Sequence, residues 1–465
     1  MKFLRLLWVL ALCLPAAAWA AEIHVDTQKG SDVTGDGSRA HPFKTLTRGL
    51  SLARAGDKVV VAAGIYNLRR GERFPLVLPA GVTLEGAGRR DVFLIGGVAW
   101  KSSLTVILEG SVSLPSKVSG LTIQGGWDAM KLVFSKGSGS WNLSVNDVVL
   151  EGAGAGLKVP ALPAGSKLSL RLEHCLLKEN WGVGLLMDSG EGSLDFHVIG
   201  SVLMGNGYDG GLLWARAKSP SLAGLILQST LAGNGGGGFR LLAEKGPPPS
   251  LGIRNSIAWG NRGGDLPGVP SGSVRNCLLG GGPAVGKGGN VKGDPGFLEK
   301  GDYHLGAFSQ AVGLGDPGVQ GLPRTDLDGQ PLPGGRRPDA GADQRVLHTL
   351  TGDQAGLLVG KLYKMTAYTL PGATMVVFVS MGTLSTGYQT PPLTGSLKLD
   401  FLAALLPTAS ARADGGGKIH MKGVGFISPT LVGVRLFLQG VSLRVQGSKV
   451  EGGWTNVISA WPIGP

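Results

Sequence analysis

Seven segments of this chain align with one another without gaps, and their spacing decides what it can fold into. They read SGLTIQG ending at Gly125, NDVVLEG at Gly152, HCLLKEN at Asn180, GSVLMGN at Asn206, QSTLAGN at Asn234, NSIAWGN at Asn261 and NCLLGGG at Gly282. Their last residues lie 27, 28, 26, 28, 27 and 21 positions apart. That closing position is always Asn or Gly, the residues that most readily take a left-handed backbone, so a turn with φ > 0 is expected there. Three and four positions earlier the chain is nearly always apolar, as at Leu176-Leu177, Val202-Leu203 and Ile257-Ala258. Another apolar position falls eight residues before the mark, at Leu172, Val198, Ile226, Ile253 and Val274. Alternation runs back from it through Leu168-Leu170-Leu172 and Leu194-Phe196-Val198, which is the period of a strand. A third apolar pair follows the mark at Leu185-Leu186, Leu212-Leu213 and Leu241-Leu242.

Three short strands per repeat, with no helical stretch long enough to cross back over a sheet, predict an all-β parallel β-helix. Each coil then pairs its backbone with the next at about 4.8 Å and buries a continuous aliphatic column. The crossover rule for parallel strands makes the expected hand right-handed. Leucine-rich repeats lack a match here, calcium-binding nonapeptides would need Asp at a fixed spacing, and propeller blades are longer, at roughly 40 residues. Stacking puts Asn180, Asn206, Asn234 and Asn261 in one turn ladder and Cys175, Ser201, Ser229, Ser256 and Cys277 in one row of small residues. Four coils separate the two cysteines, about 19 Å along the axis, whereas a disulfide requires Cα atoms within roughly 7 Å.

Composition supports this reading. The 465 residues include 80 Gly and 27 Pro, yet 43% are apolar and 16% charged, which excludes both collagen and ordinary disorder. Residues 1–20 read as a secretory signal: Lys2 and Arg5, an apolar run from Leu6 to Leu14 too short to span a bilayer, and a small-x-small site at Ala18-Trp19-Ala20. Leu12 before Cys13 argues against lipidation. Processing leaves 42 basic against 32 acidic residues, and exported basic proteins commonly meet anionic glycans or envelope polymers. No Lys/Arg run or aromatic-basic motif points to nucleic acid, and no later stretch suits a membrane span. A monomer is expected.

The leading segment from Ile23 to Asn67 contains Phe43, Leu46, Leu50 and Ala53 at helical spacing after Pro42, then Val59-Val60-Val61. An amphipathic helix covering the open end of the stack is expected, since a repeat fold must hide its terminal core and strand edge. Gly30-Ser31-Asp32, Pro42-Phe43-Lys44-Thr45-Leu46, Ala53, Gly56-Asp57-x-Val59-x-Val61 and Gly64-x-Tyr66 resemble the leading domain of bacterial secreted pectin-lyase-like β-helix proteins. Gly49 departs from that pattern, which usually has Ala, and should loosen the helix by about 1 kcal/mol. The resemblance implies fold and export but no activity, because that domain occurs both on lyases and on proteins of no known activity. Asp294-Pro295-x-Phe297, Tyr303-His304-Leu305, Ser309, Thr325-Asp326-x-Asp328-Gly329 and Asp339-x-Gly341-Ala342 resemble the closing segment of the same proteins. Asp326 and Asp328, like Asp32 and Asp36, could suggest a calcium loop, but the closing Glu of such a loop is missing, so turns are expected and no cofactor. From about residue 345 the repeat stops. Segments such as Thr374-MVVFVS and Thr430-LVGVRLFLQGVSLRV suggest a small antiparallel β-sandwich that resembles C-terminal domains of secreted bacterial proteins. The expected division is 1–20 signal, 21–58 cap, 59–343 β-helix and 344–465 C-terminal domain.

Chemistry is harder to read. The aspartate-pair and Gly-His-Gly signatures of polygalacturonases are missing, as are the Trp-Ile-Asp-His and Arg-x-Pro-x-x-Arg signatures of pectate lyases. Asp188, Arg216 and Glu244 lie eight, ten and ten residues after their Asn marks and could meet beyond the third strand, with Arg240 and Lys245 near. They are the candidate catalytic cluster, weighed against scattered solvated charge. Glu151 and Glu179 are expected in one row, where two like charges could invite a cation unless Lys178 offsets them. His174 reads as a hydrogen-bonded turn residue, and His197 has no assignable partner. Trp181 and Tyr208 follow their marks by one and two residues on consecutive coils, and Trp127 follows Gly125 by two. Trp181, Tyr208, Arg216 and Arg240 are therefore the candidate carbohydrate-binding residues, expected about 5 Å apart along one flank, against turn-covering packing. Two classes of function compete: an exported non-catalytic surface protein contacting polysaccharide, favoured here, and a polysaccharide lyase or glycoside hydrolase acting on an acidic polymer.

Overall fold

A computed structural model describes residues 20–344 except 97–100, 109–113, 135–137, 217, 245, 247–248, 298–300, 307–308 and 333–336, and beyond 348 the backbone of individual strands. The chain is an all-β parallel solenoid. One pass lays down Lys167–Glu173, Leu176–Lys178 and Val183–Asp188, and the next Ser193–Ile199, Val202–Met204 and Gly211–Ala215. Leu222–Leu227, Thr230–Ala232 and Phe239–Ala243 follow. The first and second strands of successive passes belong to one 18-stranded sheet, and the third strands to a seven-stranded sheet. Ser140–Glu151 explains the continuity of the larger sheet, because it pairs with both Lys167–Glu173 and Leu176–Lys178.

Register stacks the inward residues into columns, for example Leu168 on Leu194 on Leu222 and Leu172 on Val198 on Ile226. Two columns contain an exchange of bulk. Phe196 sits opposite Gly224, and Phe239 sits opposite Gly211. Each ring occupies the space a Cβ would need at the facing glycine, and the two rings stack at 6.0 Å. One coil carries Phe then Gly, the next Gly then Phe, so the core cross-section is kept constant.

The Asn ladder is present and corrects the expected turn. Each side-chain Nδ2 donates to the next Oδ1, at 2.9 Å from Asn180 to Asn206, 3.0 Å from Asn206 to Asn234 and 2.8 Å from Asn234 to Asn261. The left-handed residue is the one before each Asn: Glu179, Gly205, Gly233 and Gly260 have φ of 54–68°. Gly125 and Gly152 share that row with Glu179, not with the Asn residues, since Glu151 pairs with Lys178 and with Gln124. Glu151 and Glu179 are therefore not in one row, and Lys178 Nζ lies 3.3 Å from Glu151. The small-residue row forms as expected, with Cys175 N donating to Ser201 Oγ, Ser201 N to Ser229 Oγ and Ser229 N to Ser256 Oγ. Cys175 and Cys277 are free and buried.

In the leading segment the helix is Leu46–Leu52, capped by Thr45 Oγ1 accepting from Arg48 N. Glu72, 3% exposed, accepts from Leu46 N, Thr47 N and Thr47 Oγ1, and so satisfies the first amides of the helix from a distant loop. Asp32 accepts from Lys44 N, Thr45 N and Thr45 Oγ1. Gly49 has a packing reason: a Cβ there would lie 2.7 Å from Val25 Cγ2, so glycine lets the helix approach the strand Glu22–Val25.

Residues 310–332 and 337–344 return as a strap along the turn between first and second strands. Asp316 and Asn255 exchange two hydrogen bonds of 2.9 Å, Gln228 Nε2 donates to the carbonyls of Asp339 and Gly341, and His174 Nε2 lies 3.0 Å from Thr325 O. Arg89, 8% exposed, donates to Leu327 O and His174 O and pairs with Asp147 and Asp328. Leu327 and Ala342 cover the outward side chains of Leu176, Val202 and Met204. This is why both residues of each apolar pair are buried: Leu177 and Leu203 face the core, Leu176 and Val202 face the strap. Asp326 closes a turn, accepting from Asp328 N and Gln330 N, and Asp328 pairs with Arg90 at 2.8 Å.

A second unit comprises 304–309 and 345–465. Its strands pair mainly antiparallel, with Thr374–Ser380 between Leu406–Arg412 and Leu436–Gln446.

Candidate functional site

The third strands present the candidate residues at their two ends. At the starting turn, Trp181 and Tyr208 project outward, 55% and 64% exposed. Trp181 N donates to Ala153 O and Tyr208 N to Gly182 O, so both ride on the coil pairing itself. Trp181 reaches across Gly154, where a Cβ would lie 2.7 Å from its ring, and meets Trp127 edge-on at 5.1 Å and 70°. Glycine at 154 is what allows the two indoles to touch across the intervening coil. Beside Tyr208, the Asp209 carboxylate accepts from Gly237 N and from Arg240 Nε at 2.9 Å, which holds the guanidinium at this corner.

The far end holds the expected charged cluster. Arg216 grips Asp188 with two hydrogen bonds, Nε to Oδ1 at 3.0 Å and Nη2 to Oδ2 at 2.7 Å, and donates through Nη1 to Glu244 at 3.1 Å. Its guanidinium also lies over the Trp214 ring, 3.4 Å from the centroid. Burial pushes the Asp188 carboxyl up, but hydrogen bonds from Arg216 and Gly190 outweigh it and hold the group below its ordinary range. Arg216 is shifted further upward by its hydrogen bond to Asp188. A shallow cleft beside the cluster is lined by Ser219, Ser221, Leu222 and Ser250.

Asp188, Arg216 and Glu244 are thus brought together, and Trp181, Tyr208 and Arg240 are brought together, but these are two places. Arg216 pairs across from Glu244, four residues beyond Arg240 on the same strand line, which is about 13 Å. The expected single flank containing Arg216 is therefore corrected. Lys245 lies outside the described residues. His174 is held by the strap, and His197 has Asp195 at 3.5 Å. Trp214 was not anticipated as a partner, although its position two residues before Arg216 puts both on the outward face.

Residues 28–131 match a family described as "Protein of unknown function (DUF1565)". No curated protein matches the chain by sequence. Among solved structures, a rhamnogalacturonan lyase is similar at a TM-score of 0.25 and 10% identity, covering 60% of this chain and 91% of that one. The complex of XylC with xylose gives 0.26 and 11%, covering 86% and 100%. A GH136 lacto-N-biosidase from Eubacterium ramulus gives 0.21 and 12%, covering 55% and 57%.

Proposed function

We propose that this is an exported β-solenoid protein that holds a polysaccharide along one corner of its coil stack without cleaving it. The observation that carries the reading is the exposed aromatic corner, where Trp181 and Tyr208 stand on turns of consecutive coils, Trp127 stands two coils before Trp181, and Arg240 is tethered beside Tyr208 by Asp209. Exposed aromatic faces on the consecutive Trp181 and Tyr208 turns suit the apolar faces of sugar rings, and a guanidinium supplies directed donors. The Arg216 cluster supports a structural role over a catalytic one. A lyase needs an uncharged base to take the substrate proton, and the Arg216 guanidinium is a cation engaged by Asp188 and Glu244; a hydrolase needs a protonated acid, and the hydrogen bonds from Arg216 favour the ionised form of Asp188.

The reading includes a signal at 1–20 removed before Ala21, a right-handed solenoid of three strands per coil over 59–343 closed by the helix of segment 21–58, a β-sandwich over 344–465, and a monomeric chain. The deciding experiment is retention of the full chain on immobilised polygalacturonate. Trp181→Ala with Tyr208→Ala should abolish retention and leave the thermal transition unchanged. Unsaturated product rising in the ultraviolet during incubation with the polymer would overturn the non-catalytic reading in favour of a lyase.

A further inference from the structure

The outward face of the seven-stranded sheet carries a row that sequence spacing alone did not single out. Lys131 pairs with Lys158, Lys158 with Leu186, Leu186 with Leu212, and Leu212 with Arg240. Each stands a few residues past the aromatic turn, on the same side of the solenoid. Lys131 and Lys158 are direct Cα partners on adjacent parallel strands, about 4.8 Å apart. Like charges set side by side in this way repel. Neither ammonium has an ion-pair partner among the described residues. The carboxylate that both sense is Asp128, which is 3% exposed and follows Trp127 directly. Burial raises the Asp128 carboxyl, while the positive charges of Lys158 and Lys131 and a hydrogen bond from Ser102 act against it. Elsewhere the same row uses Leu186 and Leu212, so two adjacent cations are not required by the coil itself.

We infer that Lys131 and Lys158 form an anion-selecting site, so that the polymer held at the aromatic corner carries a carboxylate or sulfate on its sugar residues. This rests on the glycan-binding reading above and adds the residues that select charge. An acidic chain lying parallel to the axis places sugar faces against Trp127, Trp181 and Tyr208, and its anionic groups against the lysine pair at one end and Arg240 at the other. From Lys131 to Arg240 is four coil spacings, about 19 Å. The lysine pair is relieved of its repulsion when the anion is bound, so charge is recognised by removing a cost already present in the free protein.

The test is titration of the full chain with polygalacturonate, dextran sulfate and neutral dextran at low and high salt, for wild type and for Lys131→Gln with Lys158→Gln. The wild type should bind at least one of the two acidic polymers, more weakly in high salt, and dextran at least tenfold less well. Which acidic polymer binds tells carboxylate from sulfate. The double variant should lose on the order of tenfold in affinity and most of its salt dependence, which is the scale for two solvent-screened contacts. Its thermal transition should stay level or rise, because a repulsion has been removed. Arg216→Gln, at the other end of the strands, should bind as wild type. If dextran binds as well as the acidic polymers and the lysine variant is unchanged, the glycan reading stands and this site falls. If none of the three polymers binds, both fall.

Discussion

Replacing Asn206 by Ala tests how much of the fold rests on the amide ladder. Asn206 is 1% exposed, and its side chain makes four hydrogen bonds. Its Nδ2 donates to Leu177 O and to Asn234 Oδ1, both at 3.0 Å. Its Oδ1 accepts from Asn180 N at 3.2 Å and from Asn180 Nδ2 at 2.9 Å. Alanine removes all four and leaves the Asn180 amide buried without its acceptor. At about 1 kcal/mol for each bond, with up to about 3 kcal/mol where a buried group is left unpaired, the loss should be about 4–6 kcal/mol. Asp at the same position should be worse, because its second oxygen would face the Leu177 carbonyl and bring a buried charge. The assay is the guanidinium midpoint, followed by circular dichroism and by tryptophan fluorescence. Asn261→Ala serves as a comparison at the end of the ladder, where Nδ2 donates to Asp265 Oδ1 in place of a further Asn. A loss under about 1 kcal/mol for Asn206→Ala would mean that water satisfies these groups, and the ladder argument would fail.

Three further outcomes are expected. Gly224→Ala drives a Cβ into the Phe196 ring and should cost about 1–3 kcal/mol by overpacking, with recovery when Phe196→Leu is added; equal stability of Gly224→Ala and wild type would refute the bulk exchange. Asp326 is pushed up to about 6, by burial first and then by Asp328, from an ordinary 3.8, so its contribution is fully present below pH 4 and lost as pH rises through 6. Asp326→Asn should flatten that part of the pH–stability curve, measured as denaturation midpoints between pH 4 and 7. The Cys175 and Cys277 thiols are both pushed up to about 12 by burial, so a thiol reagent at pH 8 should label neither in the native chain and both after denaturation, read by peptide mapping.

How far the sequence carried this structure depends on where each constraint lies along the chain. Register-locked rows were legible. A residue repeated every coil must stack on itself, so the Asn ladder and the Cys175–Ser201–Ser229–Ser256–Cys277 row follow from counting. The one-residue slip at Gly125 and Gly152 arose because glycine fits both the left-handed position and the position after it, leaving the gapless alignment no penalty for sliding. The meeting of Arg216 with Asp188 and Glu244 was legible for the same reason as the ladder. Its separation from Trp181 and Tyr208 was also countable, since ten residues past a mark and one or two past it cannot share a corner on an extended strand. What could not be read was non-local. Leu176 and Val202 look like core residues but are covered by a segment more than a hundred positions later. Glu72, capping the helix from outside its own segment, left no local signal either.

The returning strap also fixes the number of coils. Solenoids commonly gain and lose whole repeats, because each coil contacts its neighbours alone. Here residues 310–332 and 337–344 are fastened at His174 through Thr325 and at Asn255 through Asp316, with Gln228 held between them by Asp339 and Gly341. Those fastenings lie three coils apart, about 14 Å. Deleting or duplicating one coil between them would displace every later fastening by about 4.8 Å, beyond the reach of a hydrogen bond. The strap therefore works as a ruler: coils can be added beyond Asn255 or ahead of Arg89, but the stretch between is held to one length.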